Sequence, residues 1–281
     1  MGFVDWRFIV MGFLSPKELT AQYAGAGESK TKKTAAELFV LAILAGAFIA
    51  LGSAATNTAS FGVADVGTAR MICGLLFPFG LCMVIVTGAE LFTGNCLITI
   101  TLLERRCSLF GMLRNWVIVY LGNFVGGLLV AAGCAYFGQF NYGAGALAVY
   151  TIKIAVGKCG ISFGAGVVLG ILCNLLVSMG VLMAMSSKDT AGRLMGAFIP
   201  VSFFVICGFE HCVANMYYIT AGMMAAANPQ YAELAITAGL DLSKLTIVNF
   251  LIGNLVPVTL GNIVGGGMLG AIMWFSYLKK R

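Results

Sequence analysis

The chain has little charge. Only 10% of its 281 residues are Asp, Glu, Lys or Arg, against about a quarter in an ordinary soluble domain. A soluble core of this size cannot hide a composition that is 60% hydrophobic with a mean hydropathy of +0.96, so most of the apolar surface must face lipid. The chain has one histidine, His211, and nine cysteines with no C-x-x-C pair. The cysteines lie mostly in apolar runs, and their odd number argues for small helix-packing residues over a disulfide or metal framework. Cys207, Glu210, His211 and Cys212 stand close in sequence, but one turn of chain rarely closes a ligand set and no second histidine exists to help. Neither a metal nor another cofactor is expected. A cleaved signal peptide is also missing, because the first apolar stretch is short and carries Asp5 and Arg7. Met11-Gly12-Phe13 repeats Met1-Gly2-Phe3, which leaves both methionines open as the natural start.

What is present comes twice. Gly88-Ala89-Glu90-Leu91-Phe92-Thr93-Gly94-Asn95 and Gly208-Phe209-Glu210-His211-Cys212-Val213-Ala214-Asn215 share the pattern G-x-E-x-x-x-x-N. Each is followed by a second phrase, Leu121-Gly122-Asn123-Phe124-Val125-Gly126-Gly127 and Leu260-Gly261-Asn262-Ile263-Val264-Gly265-Gly266. Paired polar, glycine-broken interruptions in apolar runs are the strongest sequence pointer to a transport site.

Runs long enough to span a bilayer fall at approximately 36–56, 71–103, 115–136, 161–186, 194–224 and 246–278. The second and fifth are too long for one plain helix and contain the interruptions, so each reads as two half-helices whose broken backbone must face inward. Basic residues orient the six spans. Arg7, Lys17, Lys30, Lys32, Lys33, Arg105, Arg106, Arg114, Lys188, Arg193, Lys279, Lys280 and Arg281 fall on the side of the termini, against Arg70, Lys153, Lys158 and Lys244 opposite. Both termini are therefore expected in the cytoplasm, and the net charge of +6 calls for no nucleic-acid partner. Three spans per half make the repeat inverted, with its breaks meeting near the midplane. The expected fold class is an all-α membrane protein of six transmembrane helices in an inverted 3+3 repeat, helices 2 and 5 broken. Residues 1–34 form an N-terminal cytoplasmic segment, and 35–281 the six-span domain, with repeats at 35–137 and 158–279. In the segment, Ser15-Pro16-Lys17-Glu18 starts a short helix at the membrane surface, which Gly25 and Gly27 are expected to end.

His211 is the sharpest candidate, because an intramembrane ionisable group needs a partner or a wet cavity; the bland alternative is a neutral ring satisfied by a backbone carbonyl. Phe204, seven residues earlier, suits either an apolar gate on its face or ordinary packing. Phe77 and Leu81 make a similar stripe in the other half, and with Leu91 they can close a constriction. Glu90 and Glu210 either bind a coupling cation or accept hydrogen bonds from backbone N–H groups at the breaks; their repetition, with Asn95 and Asn215, favours scaffold. Thr93 is placed to reach His211 and select its protonated nitrogen. Asn123 and Asn262 bind neighbouring backbone, and Asn174 and Asn215 do likewise or line the path. Lys30 and Lys158, at corresponding places on the two sides, either concentrate small anions or snorkel to lipid headgroups.

These phrases closely resemble the formate/nitrite transporter family. G-A-E-L-F-T at 88–93, G-F-E-H-C-V-A-N at 208–215 and N-L-V-P-V-T-L-G-N-I-V-G-G at 254–266 look like its signatures. The resemblance runs from about Ala24 to the C-terminus. It implies an aquaporin-like protomer in a homopentamer in the inner (plasma) membrane, passing small monovalent anions such as formate, nitrite or hydrosulfide. It also implies an outer constriction of Phe77 and Phe204, a cytoplasmic slit of Leu81 and Leu91, and a central chamber where Thr93 bonds His211. Lys30 and Lys158 match vestibule lysines, and Asn174 and Asn262 match asparagines near the pore. The chain has Thr93-Gly94-Asn95 where formate channels usually have T-S-T, as hydrosulfide- and lactate-type branches do, so the anion stays open.

Desolvating a bare anion at two apolar constrictions costs far more than one hydrogen bond returns. Either the anion crosses as its neutral acid, or His211 becomes cationic and carries it; both routes couple transport to pH. Other classes are a proton-coupled carrier of lactate-type monocarboxylates, and an aquaglyceroporin-like neutral-solute channel, whose twin N-P-A phrases are missing. A membrane enzyme would need a second acid, base or nucleophile beside His211, and a purely structural assembly protein would leave a membrane impermeable.

Overall fold

The computed structural model describes residues 13–279. The second candidate start, Met11, and the charges Asp5, Arg7, Lys280 and Arg281 lie outside them. The described residues form α1 (Pro16–Lys32), α2 (Ala35–Ser60), α3 (Val66–Leu76), α4 (Phe79–Thr87), α5 (Phe92–Asn95), α6 (Ile98–Leu103) and α7 (Leu109–Tyr136). They continue as α8 (Ala146–Cys159), α9 (Phe163–Ser186), α10 (Thr190–Cys207), α11 (Cys212–Ala226), α12 (Pro229–Thr237) and, after a π-helical stretch at Asn249–Leu255, α13 (Val256–Tyr277). Six segments are long and apolar enough to cross a membrane: Ala35–Ser60, Val66–Thr87, Leu109–Tyr136, Phe163–Ser186, Thr190–Cys207 and Asn249–Tyr277. Helices α5–α6 and α11 complete the second and fifth spans beyond the breaks.

The two halves match contact for contact. Lys30 and Lys158 each bond a glutamate in their own half. Leu41 and Leu169 accept from Glu90 N and Glu210 N, and the carbonyls of Ala42 and Gly170 accept from Asn123 and Asn262. From Lys30 and Lys158 through Leu41 and Leu169 to Ala42 and Gly170 the offset in numbering stays at 128, so α1 corresponds to α8. Each repeat therefore opens with its own short helix, which corrects repeat boundaries at 35 and 158.

Helix α1 starts as its letters demand: Ser15 Oγ accepts from Glu18 N–H, and the Glu18 carboxylate accepts from Ser15 N–H at 2.9 Å. Its end differs from the expectation at Gly25 and Gly27, because it runs to Lys32. A Cβ at Gly27 would meet Thr101 Oγ1 at 2.0 Å, so this glycine serves close packing on α6. The helix is also no mere surface element. Its fully buried Tyr23 donates to the Gly94 carbonyl at 2.9 Å, directly at the first break.

Close approach of backbones holds the long helices together, the small-residue packing of membrane interfaces. A Cβ on Gly126 of α7 would lie 2.1 Å from Ile43 O of α2, and one on Gly261 of α13 would lie 2.2 Å from Val167 O of α9. Gly126→Ala and Gly261→Ala should each destabilise the protein by roughly 1–3 kcal/mol, read as a lower thermal midpoint in detergent. Gly62→Ala, which meets nothing within 4 Å, should leave the midpoint in place.

Candidate functional site

Each break begins where a glycine turns left-handed, Gly88 at φ 67° and Gly208 at φ 72°, a conformation that ends a helix and costs glycine little. Several of the backbone groups so freed are met by one asparagine in each half. The Oδ1 of Asn123 accepts Phe92 N–H at 2.9 Å, and its Nδ2 donates to the carbonyls of Ala42 and Glu90. Asn262 does the same with Cys212 N–H, Gly170 and Glu210. Its amide is wholly buried and bonded to backbone alone, the role its phrase suggested, and Asn262 is in the lining of neither cavity described below.

A closed polar circuit braces each break. Lys30 Nζ donates to Glu90 Oε2 at 2.7 Å, Asn95 Nδ2 to the same oxygen at 2.8 Å and to Asn115 Oδ1 at 2.9 Å, and Asn115 Nδ2 returns to the Lys30 carbonyl. In the other half, Lys158 Nζ lies 3.0 Å from both Glu210 oxygens. There Asn215 Nδ2 donates to Glu210 Oε2 and Asn254 Oδ1, and Asn254 Nδ2 to the Lys158 carbonyl. The glutamates thus take lysine and asparagine donors, not the backbone N–H groups anticipated, and the two lysines are ion-paired rather than free attractants. The sequence reading missed Asn115 and Asn254. Their signal was an asparagine eight residues ahead of Asn123 and of Asn262 in both copies.

Five of the eight positions in the paired break phrases differ, and two of those differences build the centre. His211 occupies the place of Leu91, and Thr93 the place of Val213. The His211 Nδ1 accepts Ala214 N–H at 3.0 Å, capping α11, and its Nε2 lies 3.0 Å from Thr93 Oγ1. A backbone N–H can only donate, so Nδ1 carries no proton and the neutral ring holds its proton on Nε2. Nε2–H then donates to Thr93, which leaves the threonine hydroxyl proton available to a neighbour. Phe204 stacks on the imidazole at 5.7 Å and 13°, and Phe77 meets Phe204 edge-on at 5.6 Å. This contact spans the break at Gly208, so Phe204 and His211 do not share a helical face. Asn174 Nδ2 donates to the carbonyls of Thr93 and Asn262, so it ties one break to the other and is itself fully buried.

Two cavities approach this centre, and their linings share no residue. One, of about 520 Å³, is lined by Phe77, Lys158, Phe204, His211 and Asn215, with Arg70 and Lys153 at its exposed edge. The other, of about 240 Å³, is lined by Lys30, Leu81, Leu91, Asn95 and Arg193 on the face of α1. Phe77, Leu81, Leu91 and Phe204 are each 2–3% exposed. Thr93 is wholly buried between the cavities and lines neither.

Residues 17–276 match the formate/nitrite transporter family. The chain is 37% identical over 272 residues to the formate channel FocA of Haemophilus influenzae, covering 95% of each chain. It is 35% identical over 291 residues to a probable formate transporter of Methanothermobacter thermautotrophicus, covering 95% of this chain and 98% of the other. A solved pentameric formate channel with formate bound superimposes with a TM-score of 0.75 at 34% identity, covering 88% of this chain and 99% of that one.

The circuits predict a double-mutant result. Glu210 is a buried carboxylate, and removing one partner of a buried pair costs roughly 3–5 kcal/mol. Lys158→Met should therefore lower the thermal midpoint sharply, and Lys158→Met with Glu210→Gln should recover most of the loss. Additive losses in the double variant would show that the two side chains do not act as a pair.

Proposed function

Because the chain belongs to the formate/nitrite transporter family, we propose that it is a pH-dependent channel for the small monovalent anions of weak acids, formate foremost, with nitrite and hydrosulfide in the same class, and that it passes them as the neutral acid. One observation carries the choice of route: His211 Nδ1 is occupied by the Ala214 N–H. A second proton could enter only at Nδ1, where it would evict that N–H and sit at the positive end of α11. The neutral Nε2–H ring is therefore the working form, and the cationic-histidine route falls away.

The neutral-acid route fits the rest of the site. Cations at each mouth raise the local anion concentration. The anion takes a proton in the wet cavity and enters the apolar zone of Phe77 and Phe204 as an uncharged molecule, for which desolvation is far cheaper. Asn215 Oδ1 is buried and has no hydrogen-bond partner among the described residues, an acceptor suited to an acid O–H or to water. The Thr93 hydroxyl then offers a donor to the carbonyl oxygen, held in place by His211 below it and by Asn174 at its own carbonyl. Leu81 and Leu91 close the opposite side, beyond which the acid ionises again. A proton and an anion thus cross together, which makes net movement follow both gradients.

By similarity to the pentameric channel, the assembly is a homopentamer with one pore in each protomer. The excess of basic residues on the face of α1 puts both termini in the cytoplasm, in the inner (plasma) membrane.

Proteoliposomes given formate, nitrite, hydrosulfide, acetate and lactate at several pH values test the reading. Uptake should rise as pH falls toward the pKa of each acid, and rank by size, formate ahead of lactate. Thr93→Val and His211→Phe should each cut formate flux by about tenfold or more, the loss of one hydrogen bond in an apolar site. A His211→Phe protein with undiminished formate flux would refute the role given to the imidazole, whereas lower flux with an unchanged pH profile is the result expected of a ring that orients Thr93 without titrating.

A further inference from the structure

The larger cavity has a feature that passage of a monovalent acid does not require. Arg70 of α3, in one repeat, and Lys153 of α8, in the other, both border it. Among the described residues neither is in a salt bridge, whereas Lys158 deeper in the same cavity is bound to Glu210. Glu210 is the one acidic residue in the lining, so the edge carries two uncompensated positive charges. Asp65, five residues before Arg70, has its Oδ1 engaged by the N–H and hydroxyl of Thr68. Gly208 makes room for the arginine head, since a Cβ there would lie 3.2 Å from Arg70 Nη1.

The polar groups below the edge point the other way. Ser60 Oγ donates to Thr56 O and Thr56 Oγ1 to Ser53 O. Each hydroxyl can therefore only accept in its 3.0 Å bond to Tyr150 or Tyr218. The tyrosine protons are consumed, so Tyr150 and Tyr218, both in the cavity lining, are left with phenol oxygens that can only accept. Uncompensated positive charge thus sits at the edge, whereas Lys158 is neutralised by Glu210 and the tyrosine oxygens can only accept. A monoanion of a weak acid sheds its charge with one proton and moves on. A dianion that takes one proton is still an anion, and it stays where the cations are.

We propose that Arg70 and Lys153 form a binding site for a small dianion, a dicarboxylate or another divalent oxoanion, which blocks the pore from this face alone. The guanidinium fork suits one carboxylate and Lys153 the second. The other cavity is half the volume, and its lysine is held by Glu90, leaving Arg193 as its one cation outside a salt bridge among the described residues. Inhibition should therefore be one-sided. The proposal rests on the channel reading for its consequence, but binding can be measured without flux.

Formate uptake into sealed vesicles of both orientations, with malonate or sulfate on one side, tests it. Malonate on the Arg70 face should inhibit at several-fold lower concentration than on the α1 face, and acetate should inhibit weakly on either. Lys153→Ala and Arg70→Ala, each scaled to its own uninhibited flux, should together raise the half-inhibiting malonate concentration roughly tenfold, the effect of losing two partly exposed charge contacts. Arg70→Lys should lie between. Equal potency of malonate and sulfate supports a site that reads charge, and preference for malonate supports one that reads carboxylates. Equal inhibition from both faces, potency unchanged in the variants, or acetate as strong as malonate would overturn it. If no formate flux is found, the channel reading fails. Malonate titration of the detergent-purified protein and of the double variant still decides the binding site.

Discussion

The fold depends on two asparagine side chains. Opening a helix inside a membrane exposes backbone N–H and C=O groups where no water can satisfy them, at several kcal/mol for each group left unpaired. Asn123 and Asn262 each supply one acceptor and two donors in the geometry of the break. The close packing of α7 on α2 and of α13 on α9 brings those amides within reach, and that packing requires the neighbouring glycines. The repeated G-N-x-V-G-G phrase is thus one device: glycines for approach and an asparagine for the opening they allow.

With both breaks locked by the same means, the differences between them acquire meaning. Leu91 leaves α5 without a side-chain cap, while His211 caps α11. The shared scaffold carries an apolar group toward one cavity and an imidazole toward the other. Val213 cannot bond a histidine, but Thr93 does. Where α2 has Gly46 pressed on the Asn123 carbonyl, α9 has Asn174, whose amide bonds the Asn262 carbonyl and reaches on to Thr93. These three departures from the twofold converge on the Thr93–His211 contact. Symmetry supplies rigidity, and substitution at a few positions supplies a polar centre with one defined tautomer.

Much of this was legible in the letters. Six spans, two breaks, the inversion and the meeting of Thr93 with His211 follow from hydropathy and from repeated phrases. The partners of the charges were not legible. Lys30 and Glu90 are sixty residues apart, and no local pattern says that a lysine on an amphipathic end turns back onto a glutamate in a distant break. Gly25 and Gly27 were misleading because glycine marks both helix ends and close approach, and only the position of Thr101 separates the two. For Asn262 the repeated phrase pointed to neighbouring backbone and the family resemblance to a place near the pore; its amide meets backbone alone.

Pairing Lys30 and Lys158 with glutamates also changes where the electrostatics of the pore reside. A lysine held by a buried carboxylate offers a passing anion much less than a full charge, because the two fields largely cancel beyond a few ångströms. The circuits are therefore better suited to bracing the breaks than to drawing ions across them. In the channel proposed above, attraction would fall to Arg70, Lys153 and Arg193, which border the cavities outside any salt bridge among the described residues. Exposed charges gather ions at little cost to stability, and they release them readily since water screens each contact. A channel needs this division. Strong fixed charge deep inside would trap the anion, whereas a weakly cationic mouth above a neutral, acceptor-lined interior lets the cargo lose its charge and leave.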